Sequence, residues 1–307
     1  MSAATALGAS FLAVLAHPRW WVMSLAAFLV RGGLLLLLLP LIPLPSTAAL
    51  ANALGPTLVG FVFGGPSASF LILVGSIVAA TVLWFVLAAI AGTILDLALI
   101  REAAEEDDLD GRARPADGGP WRAITVRWLA HLPTAAAVVW GAAALVDAAY
   151  VELIRPGDPS VPVALRVLLR APQIVGLVVV AWAVGEAVGG LAVRHLAWGA
   201  GIPRSLAGSV LGVLKPSGLA VLVLTNLGLV AAIAGGGLAI GIAFEHARVL
   251  LIDGGAPLDQ GLALVLLSGS WFGTAVLVSI ATAWRATAWT YEAGRHRALV
   301  TIGPGAA

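Results

Sequence analysis

Four ionisable residues stand inside long apolar runs of this sequence: Arg31 in Phe28-Leu-Val-Arg-Gly-Gly-Leu34, Asp147 in Ala144-Leu-Val-Asp-Ala-Ala149, Glu186 in Ala183-Val-Gly-Glu-Ala-Val188 and Arg285 in Ala283-Trp-Arg-Ala-Thr287. A charged side chain near the centre of a bilayer costs roughly 2.5–3.5 kcal/mol on insertion scales, so each needs a partner or a task. Two chemistries fit these residue types. In the first, carboxylate and guanidinium pair and remove most of the desolvation penalty. In the second, Arg31 and Arg285 line a polar cavity that takes an anionic headgroup or solute, while Glu186 carries a proton. Position favours pairing. Arg31 and Asp147 follow Pro18 and Pro133 at closely matching distances with opposite signs, and Glu186 and Arg285 stand in the same relation to Pro172 and Gly269. Two such pairs would lock helical hairpins together.

Other chemistry lacks its residues. Cysteine is absent, which excludes disulfides, thiolate metal sites and cysteine nucleophiles. His17, His131, His195, His246 and His296 are too far apart in sequence for helical metal-ligand spacing, and no His-Glu-x-x-His, Walker loop or Gly-x-Ser-x-Gly occurs. Ser76, Ser268 and Ser270 are available for an intramembrane Ser/His dyad, but nothing else points to one. Asp110-Gly-Arg-Ala-Arg114 is similar to the start of the metal-binding motif of membrane phosphatidyl-alcohol transferases. One residue is missing, however, and the next acid after Asp117 is Asp147, a whole span away. Glu105-Glu106 and Asp107-Asp108 read as a solvated face beside a membrane. We therefore expect no cofactor, no metal and no enzymatic activity.

The composition places these residues. The chain has 307 residues, 60% hydrophobic and 11% charged, with a mean hydropathy of +1.01, far more apolar than a soluble domain. It reads as an integral membrane protein. A net charge of +1 and the lack of a basic stripe set nucleic acid aside. Arg in place of Lys almost throughout, with abundant Ala, Gly and Leu, points to GC-rich coding and a bacterial source.

Stretches of about 20 apolar residues span a bilayer, and the sequence offers them at 19–44, 67–100, 124–150, 172–199, 216–244 and 268–294. Cations gather on one side of these spans: Arg19, Arg101, Arg112, Arg114, Arg122, Arg127, Arg194, Arg204, Lys215, Arg295 and Arg297, against Arg155, Arg166, Arg170 and Arg248 on the other. The positive-inside rule makes both termini cytoplasmic. With no Lys or Arg before Arg19, the N-terminus lacks a basic signal-peptide region, so the first span is expected to insert the chain. The second span outruns the hydrocarbon and leads into a charged cytoplasmic loop over about 101–120.

Leu15-Ala-His-Pro18, Leu129-Ala-His-Leu-Pro133 and Val213-Leu-Lys-Pro216 share a basic residue followed by Pro at the start of the odd-numbered spans. On the other side, 56–66, 162–172 and 257–269 each hold an apolar stretch too short to span. A threefold repeat follows: interfacial helix, span, short outer helix, span, in units of about 8–104, 120–199 and 203–297. Arg31-Gly-Gly33 and the nearby prolines predict a kink in the first span. Gly185 with Gly189 and Gly237 with Gly241 predict close helix packing, and Thr225-Asn226 a hydrogen bond across helices. Trp20, Trp21, Trp121, Trp128, Trp198 and Trp289 read as an interfacial belt, with Trp84, Trp140, Trp182 and Trp284 as deeper core residues.

In architecture, these basic-residue-plus-Pro junctions resemble the six-helix membrane domain that accompanies some bacterial glycerophosphodiester phosphodiesterases, and related bacterial membrane proteins. The likeness covers most of the chain. It implies a fold and no activity, because no stretch of the sequence matches their catalytic barrel. The fold expected is all-α: a polytopic bundle of six transmembrane helices in three pseudo-repeated hairpins, a single domain over 1–307 in a bacterial cell membrane. The function expected is a non-enzymatic scaffold or accessory subunit, with membrane lipids, other membrane proteins or a second copy as partners. The alternative is a transporter or lipid-handling protein that uses Arg31, Asp147, Glu186 and Arg285.

Overall fold

The computed structural model describes residues 3–42, 67–106, 119–158 and 161–300, with isolated positions between 49 and 65. The expected outer helix over 56–66, the loop residues 107–118 and the side chains of Arg295, His296 and Arg297 lie outside the described residues. Among those described there is no strand. The helices are α1 (Ala3–Ala16), α2 (Pro18–Phe28), α3 (Leu34–Leu38), α4 (Ala68–Glu106), α5 (Pro120–Ala130), α6 (Leu132–Ile154), α7 (Val163–Arg170), α8 (Pro172–Ala197), α9 (Ile202–Leu214), α10 (Pro216–Ile252) and α11 (Pro257–Val300). Among the described residues, six segments are long and apolar enough to cross a membrane: α2 through α3, α4, α6, α8, α10 and α11.

Proline sets the helix starts. Pro18, Pro133 and Pro216 each lie in the first turn of a helix that follows a break at His17, His131 or Lys215. A first-turn N–H has no intrahelical acceptor, so proline loses nothing there, and its fixed φ suits the helix. At the far end of α8, the N–H of Gly199 (φ +88°) reaches the Leu196 carbonyl at 2.9 Å and the N–H of Ala200 reaches the His195 carbonyl at 3.1 Å. That is a Schellman cap, and it turns the chain toward α9.

The kink expected at Arg31 is a π-turn over Leu29–Gly33 in which Gly32 adopts φ +99°. α4 has 39 residues, about 58 Å at 1.5 Å per residue, well beyond a hydrocarbon core of about 30 Å. One sequence expectation is corrected. The stretch 257–269 is the beginning of α11, a continuous helix of 44 residues, because neither Gly261 nor Gly269 interrupts an otherwise unbroken helix-forming run.

The chain divides into two compact units. The first comprises residues 1–42, 88–130 and 186–307. Its centre is the α10–α11 pair, the most extensive helix contact, with α1 and α2 also packed against α11. Trp289, Val221, Leu222, Leu191 and Ala288 fill one core cluster, and Val14, Trp20, Leu99 and Tyr291 another. The second unit comprises 43–87 and 131–185. Within it α6 and α8 approach closely: a Cβ on Gly141 would lie 2.4 Å from the Ile174 side chain.

Candidate functional site: an arginine-rich cluster

The charges of the first unit meet in one network. Arg31, carried on the π-turn, donates from Nη2 to Asp96 Oδ2 of α4 at 2.7 Å. It reaches Asp96 over Gly92, one helical turn earlier, where a Cβ would stand 2.5 Å from Arg31 Nε. Arg127 of α5 donates to the same Asp96 oxygen and also lies 3.8 Å from Glu186 Oε2 of α8. Glu186 Oε1 accepts from Arg285 Nη2 of α11 at 2.7 Å, and Arg285 Nη1 donates to Asn226 Oδ1 of α10 at 3.1 Å. The path Arg31, Asp96, Arg127, Glu186, Arg285 and Asn226 therefore ties six helical elements together.

Trp289 extends it. Its ring lies 4.9 Å from the Arg285 guanidinium carbon and 5.6 Å from that of Arg194, and its indole N–H donates to Thr225 Oγ1 at 2.9 Å. A Cβ on Gly190 would fall 2.4 Å from the indole, so glycine there admits the ring against α8. Arg194 is 4% exposed and makes no carboxylate pair among the described residues. Its donors go to Thr290 Oγ1 and to the carbonyls of Gly190 and Ala286. The Thr225-Asn226 pair thus does bond across helices, each residue to a different partner on α11.

Summed over Arg31, Arg127, Arg194 and Arg285 against Asp96 and Glu186, the cluster is positive. Arg127 Nε is buried and has no acceptor among the described residues. Arg31 is 27% and Arg285 18% exposed. Guanidinium is planar, permanently charged and presents parallel donors, the geometry that recognises phosphate and carboxylate.

No family model, curated protein or solved structure matches the chain. Its chemistry is therefore read from its own residues. Of those singled out in the sequence, Arg31, Glu186 and Arg285 are brought into the cluster, and Glu186 with Arg285 form a direct pair. Asp147 is not the partner of Arg31. It belongs to the second unit, where its side chain is exposed, and Asp96 takes the expected role. Asp96 sits in Ile94-Leu-Asp-Leu-Ala-Leu-Ile100, the same signal of an acid within an apolar run that marks Glu186. Arg127 and Arg194, which charge counting assigns to the cytoplasmic side, point into the cluster.

The tryptophans also depart from expectation. Trp289 and Trp20 are 2% exposed and packed within the protein, whereas Trp84, Trp140 and Trp182 are exposed and not core. The reason is that an apolar helix face meets protein or lipid with equal compatibility, so position along a span does not reveal which it faces.

The second unit has its own ion cluster. Glu152, 2% exposed, meets Arg166 Nε at 2.6 Å and Arg170 Nε at 2.7 Å, and accepts from the Gly157 N–H at 2.8 Å. Arg166 further donates to the Asp158 and Val161 carbonyls, and Arg170 to that of Arg155 at 3.0 Å. These bonds satisfy the backbone of the α6–α7 connection, which is a structural clip. Among the described residues no group of three His, Cys, Asp or Glu side chains could hold a metal ion.

Proposed function

We propose that this protein is a polytopic membrane protein that binds an anionic solute or lipid headgroup at the arginine cluster, in transport or lipid handling. The observation that carries this reading is the convergence of Arg31, Arg127 and Arg285 on only two carboxylates, with Arg194 beside them against Trp289 and a buried Arg127 donor left over. Isolated pairs built only for stability would be neutral; a joined, cation-rich set is matched by an oxyanion. Arginine does not release its proton at physiological pH. The arginines of the cluster therefore supply charge and hydrogen bonds rather than proton transfer.

We further propose three helical hairpins as pseudo-repeats, with both termini on the cytoplasmic face of a bacterial cell membrane. The recurring break and first-turn proline at Pro18, Pro133 and Pro216 support the repeat. The architectural resemblance to phosphodiesterase-associated membrane domains belongs to the same proposal.

The test is thermal unfolding of the purified full-length chain with inorganic phosphate, and separately in vesicles of phosphatidylglycerol or phosphatidylcholine. A melting temperature raised by phosphate points to a free anion, and one raised by phosphatidylglycerol alone to a headgroup. Either rise should vanish in Arg31→Gln and Arg285→Gln. No rise with either probe would overturn the reading.

One observation favours the second reading, a scaffold or accessory subunit. The apolar window of α4 contains no residue buried within the chain, which leaves that span free to pack on another membrane protein. Native mass spectrometry of the protein extracted gently from its own membrane would then find a stoichiometric second protein.

A further inference from the structure

Separate from the arginine cluster, helices α8, α9, α10 and α11 enclose a cavity of about 310 Å³. Its wall is mostly apolar, built from Leu191, Leu211, Leu214, Val221 and Leu222 with one edge of Trp289. Leu211 and Leu214 are also 62% and 72% exposed, so the cavity is continuous with the outer apolar surface of α9. Glycine makes the room. A Cβ on Gly212 would meet only Leu191, at 3.7 Å, and one on Gly208 only His195, also at 3.7 Å, so larger side chains at either position would grow into the space.

Three ionisable groups line this apolar wall: Lys215, His195 and Glu292. Glu292 is 2% exposed and is fixed by a hydrogen bond from Ser217 Oγ at 3.0 Å. A cation, a titratable imidazole and a buried carboxylate in one small cavity complement a zwitterion rather than a simple anion. Ammonium donates to carboxylate, while Lys and His donate to phosphate. The volume lies at the small end of the range for ligand sites, about 300 to 1,000 Å³, and so takes a headgroup with part of one chain.

We propose that this cavity binds the headgroup and upper acyl chain of a phospholipid bearing a primary ammonium, as in phosphatidylethanolamine. The site does not depend on the anion reading of the arginine cluster, although Trp289 borders both. In the fold it lies where α9 leads through Lys215 into α10, so lipid enters along the exposed leucines of α9.

The test is native mass spectrometry of the full-length chain after incubation with an equimolar mixture of phosphatidylethanolamine, phosphatidylglycerol and phosphatidylcholine. The wild type should retain phosphatidylethanolamine preferentially. Glu292→Gln should erase that preference by about tenfold, the equivalent of one charge-assisted hydrogen bond. Gly212→Leu, whose Cβ would meet only Leu191 and whose side chain would grow into the cavity, should lose retention while keeping cooperative unfolding and the melting response to phosphate. Equal retention of the three lipids by the wild type would overturn the proposal, as would unchanged retention in Gly212→Leu. Loss of the phosphate response with retention in place would count against the arginine reading alone.

Discussion

Arg31 reaches Asp96 by passing directly over Gly92, where the space a Cβ would occupy lies 2.5 Å from the guanidinium Nε. The glycine is thus part of the ion pair although it carries no charge. Gly92→Ala should push the guanidinium off Asp96 and destabilise the protein by about 2 kcal/mol, the usual scale for overpacking. Chemical denaturation of the detergent-solubilised protein would measure it, and an alanine variant as stable as the wild type would refute the contact.

Asp96 and Asp147 separate the structural assignment from the sequence expectation. Asp96 compensates both Arg31 and Arg127, so Asp96→Asn should cost about 3 kcal/mol, as for a buried pair stripped of one partner. Asp147 is exposed and makes no ion pair among the described residues, so Asp147→Asn should stay within about 0.5 kcal/mol. The reverse order in a thermal-unfolding comparison would restore the Arg31–Asp147 pairing.

A charge reversal tests whether Glu186 and Arg285 act as a pair or as part of a network. Glu186 also lies 3.8 Å from Arg127. Swapping the residues as Glu186→Arg with Arg285→Glu would set an arginine beside Arg127, and the swapped protein should be no more stable than Glu186→Gln, itself down by about 3 kcal/mol. The double neutral variant, Glu186→Gln with Arg285→Gln, should be the most stable of the three. Full recovery in the swapped protein would mean an isolated pair.

Gly32 holds the π-turn at φ +99°, a region that costs an L residue roughly 1–2 kcal/mol. Gly32→Ala should lower stability by that amount and shift Arg31 relative to Asp96, so the phosphate response should weaken with it. A stability loss without any change in phosphate response would show that the turn shapes the helix but not the site.

Trp289 touches Arg285 and Arg194, bonds Thr225 and fills the space over Gly190. Trp289→Phe keeps much of the volume but loses the indole donor, and should cost about 1 kcal/mol. Trp289→Ala should cost about 4 kcal/mol through the cavity it leaves. Similar stability for the two variants would argue against a packed position.

Residue order alone was enough to show that this chain is helical and membrane-compatible, where its long apolar helices run, and where proline and Gly-Gly would start or kink them. Those features are local: run length, the missing N–H of proline and the conformational range of glycine act within a few residues. The sequence also exposed Glu186 and Arg285 as charges needing a partner. Packing was needed to show that Asp96 rather than Asp147 answers Arg31, that Arg127 and Arg194 turn inward from helix ends, and that Trp289 rather than Trp84, Trp140 or Trp182 is buried. A charge is costly at membrane depth wherever its partner lies, and an apolar face is equally at home against lipid or protein. The sequence can therefore record the demand for a partner, whereas only the packing of α4, α5, α8, α10 and α11 says which residue meets it.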